Sequence, residues 1–233
     1  MAGHVSSVRD RLAERRLKGA FVKLPALEVI EILAAELDFA VVDLEHSQLT
    51  ERDCLRLVRH AYVLGFPAIV RIPSVDRGLI NRLLEAGASG IQLSTVTRAS
   101  EVASVRAAAE YAPRGTRSIS LSHPLARYGG IPLDEYVGAQ QTPLVVAQIE
   151  TMTTDDPLEE ILGAGPDVAF VGVTDITVDA GLDRDRAAGR VDEILAAAER
   201  AAVVTGGFGA DTRFRYAVVS SDVSLLQQAV AVA

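Results

Sequence analysis

Ionisable residues close the apolar stretches of this chain at four places. Phe39–Val42 runs into Asp43, Glu45 and His46, and the stretch Ala68–Ile72 carries Arg71. Leu144–Ile149 holds Gln148 and leads into Glu150, and Asp175 follows the stretch Val168–Val173. Burying a charge costs several kcal/mol unless it is paired or bound to a metal, so packing alone does not call for such a set. Glu150 and Asp175 fall at neighbouring stretches with no cysteine or histidine beside them. Two carboxylates without softer donors suit Mg²⁺ or Mn²⁺, with the remaining positions left to substrate and water. His46 carries the side chain whose ordinary pKa, about 6.5, suits proton transfer near neutrality. Arg71 offers a planar, permanently charged fork matched to a substrate carboxylate. Together they spell a metal-assisted reaction on a small oxo-acid through an enolate.

These residues need a scaffold that brings strand ends together. Short, largely β-branched stretches recur at Ala20–Leu24, Phe39–Leu44, Ala68–Ile72, Gly90–Leu93, Leu144–Ile149, Val168–Val173, Ala202–Thr205 and Tyr216–Ser220. Most are continuously apolar, as strands covered on both faces are. Between them lie helical patterns at Pro25–Leu37, Thr50–Leu64, Asp76–Ala86, Arg98–Tyr111, Asp156–Leu162 and Arg184–Ala201. Thr50 with Asp53, and Ser100, supply N-terminal caps, while Gly65, Gly87 and Gly163 sit where helices should stop. Eight strands alternating with helices predict a parallel α/β sheet closed into a (β/α)₈ TIM barrel, with residues 1–233 as one domain. A doubly wound open sheet would carry a glycine-rich loop after its first strand, where this chain has Lys23-Leu24-Pro25. The connection Pro113–Gln141 is too rich in Gly, Pro and Ser for one helix and reads as a long active-site loop. In such a barrel the C-terminal strand ends line the active site.

The 233 residues are 49% hydrophobic and 23% charged, with a net charge of −8, which describes a globular chain and argues against nucleic acid as a partner. No apolar run is long enough to span a membrane, and the polar start MAGHVSSVRDRLAERR lacks the apolar core of a signal peptide. The expectation is a cytoplasmic protein with no membrane partner. Cys54 is the sole cysteine, so neither a disulfide framework nor a multi-cysteine zinc site is available.

The segments VVDLEHSQLT (Val41–Thr50), AIVRIP, LLEAGASGIQL, VAQIET (Val146–Thr151) and AFVGVTDIT (Ala169–Thr177) resemble the HpcH/HpaI aldolase/citrate lyase family, in its class II pyruvate aldolase branch. The resemblance runs from Arg11 to Leu182. It implies a phosphoenolpyruvate/pyruvate-type barrel, a homo-oligomer, and a divalent cation (Mg²⁺, Mn²⁺ or Co²⁺) held by Glu150 and Asp175. It further implies that backbone amides around Gly172, Val173 and Thr174 hold the substrate carboxylate, with Gln148 nearby. Arg71 would stabilise the enolate oxygen, and His46 would move protons through a water on the cation. Glu85, at a position where the family has Asp, would orient His46. Asp43 and Glu45 are each read either as support for the site near the metal water or as structural, capping a helix or pairing with an arginine. The family's G-P-A-D-L stands here as Gly172-Val173-Thr174-Asp175-Ile176, and its G-x-R-G-x-G as Gly115-Thr116-Arg117-Ser118-Ile119-Ser120. Only Gly209–Arg215 separates the last two strands and the chain stops soon after Asp222, so a shortened C-terminal quarter is expected.

The implied reaction cleaves a 4-hydroxy-2-oxo acid to pyruvate and an aldehyde, or condenses them, both small-molecule partners. Two rivals use the same residues: decarboxylation of oxaloacetate or another enolate transfer, and a non-catalytic barrel that binds an oxo-acid. The other histidines read blandly, His4 in the terminus, His60 on a helix surface and His123 in the long loop. Cys54 reads as a packed thiol. Arg114, Arg117 and Arg127 read either as an anion-binding group or as solvated charge.

Overall fold

The computed structural model describes residues 7–232; His4 lies outside them. Eight strands close into a barrel in chain order, each pairing in parallel with the next. They are β1 (Leu17–Val22), β2 (Phe39–Asp43), β3 (Ala68–Ile72), β4 (Gly90–Leu93), β5 (Leu144–Ile149), β6 (Val168–Val171), β7 (Val204–Phe208) and β8 (Tyr216–Ser221). A leading helix α1 (Val8–Glu14) precedes β1. The outer layer holds α2 (Leu27–Glu36), α3 (Glu51–Leu64), α4 (Arg77–Ala86), α5 (Ala99–Ala109), α6 (Leu133–Gly138), α7 (Leu158–Gly163), α8 (Val173–Asp179), α9 (Arg184–Arg200) and α10 (Asp222–Ala231). The predicted TIM barrel is the observed fold.

Strand periodicity decides what faces inward, because alternate side chains point to opposite faces. Phe21, Phe39, Val41, Ile69, Val146, Phe170 and Tyr216 pack together inside the barrel, with Val8 and Leu12 of α1 in the same cluster. Ala40, Val42, Val70, Val145, Ala147 and Val171 pack instead against the helices. On β2 to β5 the inward positions nearest the C-terminal ends are polar: Asp43 after Val41, Arg71 after Ile69, Gln92 on β4 and Gln148 after Val146. Register brings them together, since Asp43 pairs with Arg71 and Arg71 with Gln92. An apolar plug therefore carries a polar patch at one end, on the side of β2 to β5.

Local signals account for several helix ends. Thr50 and Asp53 form a capping box on α3, and Gly65 and Gly87 end α3 and α4 at φ 69° and 111°, as expected. Gly163 is the last residue of α7, and it is Gly165, at φ 85°, that turns the chain. Ser100 lies inside α5, whose start is instead satisfied by Glu101, accepting from the N–H groups of Thr97 and Arg98.

Three strands differ from the sequence reading by two residues or more at an end. The first strand is Leu17–Val22, because β8 offers its pairing edge from Tyr216 onward. The seventh is Val204–Phe208, because Ala202, at φ 54°, is still turning out of α9. The sixth stops at Val171, and Val173–Asp179 is a helix, so Asp175 sits in a first helical turn rather than on a strand.

The segment 113–141 lies in the longest connection between strands. It joins the end of α5 to the start of β5, and so begins and ends at the N-terminal end of the barrel. It contains a 3₁₀ turn, Pro124–Gly129, and α6. Its Thr116 carbonyl accepts from Arg77 at 3.0 Å, and Arg117 Nε donates to Asn81 at 3.3 Å, so it lies along α4. Within this chain it runs along the flank of the barrel beside α4.

No helix lies between β7 and β8, as the short Gly209–Arg215 connection predicts. Phe214 takes up the vacant space, 1% exposed and packed in the outer cluster. Gly207 makes that possible, since a Cβ there would stand 2.4 Å from Phe214 Cε2. Phe214→Ala is expected to lower stability by about 3–5 kcal/mol, the cost of a large aromatic cavity, measured by urea denaturation.

Candidate active site

Asp43 is fully buried at the end of β2, and its carboxylate meets the Arg71 fork squarely. Arg71 Nε donates to Oδ1 at 2.8 Å and Nη2 to Oδ2 at 2.6 Å. Lys23 Nζ lies 3.0 Å from Oδ2, and the backbone N–H groups of Glu45 and His46 donate to Oδ1 at 3.0 and 3.1 Å. Burial by itself would raise the Asp43 pKa; the Arg71 hydrogen bonds and charge, the His46 N–H and Lys23 together outweigh it and hold it at about 2. Asp43 is thus ionised at neutral pH, where it pins the loop that carries Glu45 and His46. Arg71 also lies over the Phe21 ring, 4.4 Å from its centroid, and Phe208 stacks on that ring at 6.2 Å, half exposed.

Glu45 and His46 stand on the loop that Asp43 pins. Glu45 Oε2 is 3.4 Å from Arg71 Nε and 3.8 Å from His46 Nε2, and it accepts no hydrogen bond. The His46 side chain is 62% exposed and free to meet a ligand. Glu85 does not orient it within this chain. Glu85 lies in the last turn of α4, about 12 Å along the axis from the start of that helix, and accepts a hydrogen bond from Asn81 at 3.2 Å. Within this chain the acid beside His46 is Glu45.

On the other side, Gln92 Nε2 donates to Gln148 Oε1 at 2.6 Å, and Gln148 Nε2 donates onward to Glu150 Oε2. Glu150 is buried, and its Oε1 accepts from both the N–H and the hydroxyl of Thr95, at 2.8 and 2.7 Å. Every donor to this carboxylate is neutral. Asp175 is exposed in the first turn of α8. Gly172, just before it, presses on Glu150: a Cβ there would stand 2.6 Å from Oε2. The Gly172 N–H is taken by the Ile149 carbonyl at 3.1 Å, so its part is to leave room, not to donate to a substrate as expected. Val173 and Thr174 follow it, exposed, at the start of α8.

A buried carboxylate with only neutral donors leaves a negative charge uncompensated, and oxygen ligands of this kind fit a hard divalent cation. Among the described residues no three or more His, Cys, Asp or Glu gather at one point. Glu150 and Asp175 would hold the ion as a pair, leaving its other positions to substrate and water.

Four contributors escaped the sequence reading. Lys23 and Gln92 lie at inward positions and strand periodicity could have found them. Asp222, whose Oδ2 accepts from the N–H groups of Lys23 and Leu24 at 2.8 and 2.9 Å, follows β8 as a helix start. Thr95 had no signal, because its part depends on a backbone twist. Elsewhere, Cys54 is a buried thiol pushed up to about 12, mainly by burial, in keeping with a packed role. His60 is a partly exposed residue of α3, 2.9 Å from Glu31. His123 is buried in the 113–141 segment against Tyr136, and Arg114 pairs with Glu110 at 2.9 Å. Arg127 is exposed.

Comparison with known proteins decides the family. A model described as HpcH/HpaI aldolase/citrate lyase matches residues 18–231. The chain belongs to that family. It is 32% identical over 163 residues to a hydroxypyruvate/pyruvate aldolase of Rhizorhabdus wittichii, a stretch covering 69% of this chain and 64% of that one. The chain thus spans just under two thirds of the length of that relative. With a hydroxypyruvate/pyruvate aldolase of Paraburkholderia phytofirmans it shares 27% identity over 98% of its own length and 96% of the other. The crystal structure of an HpcH/HpaI aldolase from Desulfitobacterium hafniense superposes with a TM-score of 0.88 at 27% identity, covering 97% of this chain and 95% of that one.

The depressed Asp43 pKa fixes a sign for acid stability. An unfolded aspartate titrates near about 3.9, so the ion pair is fully present above that pH and is lost as pH falls through about 2. Asp43→Asn is expected to cost about 3–5 kcal/mol at pH 7, because Arg71 stays buried without its main partner. It should also flatten the pH dependence between about 4 and 2; urea denaturation across that range measures both.

Proposed function

We propose that the chain is a divalent-cation-dependent carbon–carbon lyase that cleaves a 4-hydroxy-2-oxo acid to pyruvate and an aldehyde, or condenses the two. The observation that carries this reading is Glu150, a buried carboxylate fixed on both oxygens by neutral donors alone. A divalent cation held there with Asp175 would supply Lewis-acid polarisation of the 2-oxo acid.

The rest of the chemistry falls to the chain's own residues. In the cleavage direction His46 takes the proton of the 4-hydroxyl as the bond between C3 and C4 breaks and the aldehyde leaves. The electron pair stays on the pyruvate fragment as an enolate, and the proton is returned to C3. Arg71 faces the charge that develops on the 2-oxygen. Its Nε and Nη2 are committed to Asp43, which leaves Nη1 to the substrate. Such an aimed, pre-paired donor does not reorganise during the reaction. Gln148, bridging Gln92 and Glu150, and the backbone at Val173 and Thr174 line the place for the substrate carboxylate. Asp43 stays ionised throughout, and Glu45 stands between Arg71 and His46.

The same reading has the chain work in the cytoplasm as a homo-oligomer. Leu225, Leu226 and Val230 leave an apolar face exposed on α10 that a second copy would cover. Among the described residues no helix is long and apolar enough to cross a membrane.

The test is a cleavage assay that follows pyruvate release with and without EDTA. Activity should vanish on chelation and return with Mg²⁺, Mn²⁺ or Co²⁺; activity unchanged by EDTA would sink the metal role. Glu150→Gln and Asp175→Asn are each expected to abolish turnover while leaving the melting transition in place. His46→Ala should slow turnover by roughly 10²–10⁴-fold. Release of CO₂ from oxaloacetate with no aldol cleavage would move the assignment to a decarboxylase.

A further inference from the structure

Thr95 stands out as the residue that sets the position of the Glu150 carboxylate. It lies between β4 and α5, in a connection held firmly on both sides. Ser94 donates from both N–H and hydroxyl to the Ile72 carbonyl at 3.2 Å, and Val96 donates to the Gln148 carbonyl at 2.8 Å. Between these anchors Thr95 adopts φ 50°, in the left-handed region that β-branched residues rarely enter. That twist directs its N–H and its hydroxyl at the same oxygen, Glu150 Oε1, 2.8 and 2.7 Å away.

The twist alone does not explain a threonine. Glycine would adopt this conformation without steric cost and would still present the N–H. What threonine adds over glycine is the hydroxyl, and that hydroxyl is spent on Glu150. Strain retained at one point of a site, in return for a group that points into it, is the pattern expected of a functional constraint. The other oxygen, Oε2, is fixed independently by Gln148, itself braced by Gln92. Of the four or so lone-pair positions on a carboxylate, three are occupied, and the remainder is left for a ligand of fixed direction.

We infer that Thr95 is a strained positioning residue: its hydroxyl aims the Glu150 carboxylate at the divalent cation, and the chain gives up local backbone stability to keep it. This rests on the cation-binding role proposed above for Glu150. The same geometry predicts opposite effects on stability and on cation affinity, which a purely structural loop residue would not show.

Mn²⁺ titrated calorimetrically into the substrate-free protein, beside thermal melts without metal, tests it on three variants. Thr95→Val removes the hydroxyl and keeps the strain; Thr95→Gly removes both; Thr95→Ser keeps the hydroxyl. Thr95→Val and Thr95→Gly should weaken Mn²⁺ binding by roughly ten-fold or more, the usual effect of losing a group that orients a metal ligand. Thr95→Ser should stay near the parent affinity, and Thr95→Gly should melt above the parent when metal-free. Parent-like Mn²⁺ affinity in both hydroxyl-free variants overturns the role of Thr95 and leaves the cation site standing. Absence of saturable Mn²⁺ binding to the parent overturns both.

Discussion

The Asp43–Arg71 pair is the interaction on which the rest of the site depends. A guanidinium cannot shed its proton, so Arg71 can sit inside the barrel only beside an anion that matches its fork. Asp43 provides that match, and with its remaining capacity it captures Lys23 and two backbone N–H groups. One carboxylate thereby ties β1, β2 and β3 at their C-terminal ends and shapes the loop that presents Glu45 and His46. Replacing the pair by hydrocarbon could leave the fold as stable. It would leave nothing to aim a cation at a substrate.

The two halves of the site solve opposite electrostatic problems. Around Asp43 the charges are matched internally, two cations against Asp43 and Glu45, so this half is complete in the chain alone. Around Glu150 they are not: a buried anion is met by an amide side chain, a hydroxyl and a peptide N–H. Dipoles can orient a carboxylate, but they do not cancel its charge. The first half holds a guanidinium, and in the proposed function the second half receives a divalent cation. The register between Arg71 on β3 and Gln92 on β4 joins them at one rim of the barrel.

The scaffold tolerates irregularity wherever the rim is not involved. One outer helix is replaced by the single ring of Phe214 lying against Gly207, and the longest connection packs along α4. Neither change disturbs the eight-strand closure, because pairing between neighbouring strands fixes the barrel and the outer layer needs only enough apolar surface to cover it. At the rim, by contrast, Gly172 touches Glu150 so closely that any side chain would displace the carboxylate.

Barrel, strand order and most of the candidate site residues could be read from the chain itself. Continuous β-branched stretches mark strands buried on both faces, and their period of two sends Asp43, Arg71 and Gln148 inward from Val41, Ile69 and Val146. The same rule, applied more strictly, would have added Lys23 and Gln92. Other features lay beyond any local pattern. That Glu85 ends in the far turn of α4, away from His46, follows from the direction in which a helix returns along the barrel. That Asp175 begins a helix, that the 113–141 segment runs down the flank, and that Thr95 twists to reach an acid 55 residues later are products of packing between distant segments. Sequence periodicity dictates which face a residue takes along its own element, whereas the distance between two elements is set only when the whole barrel closes.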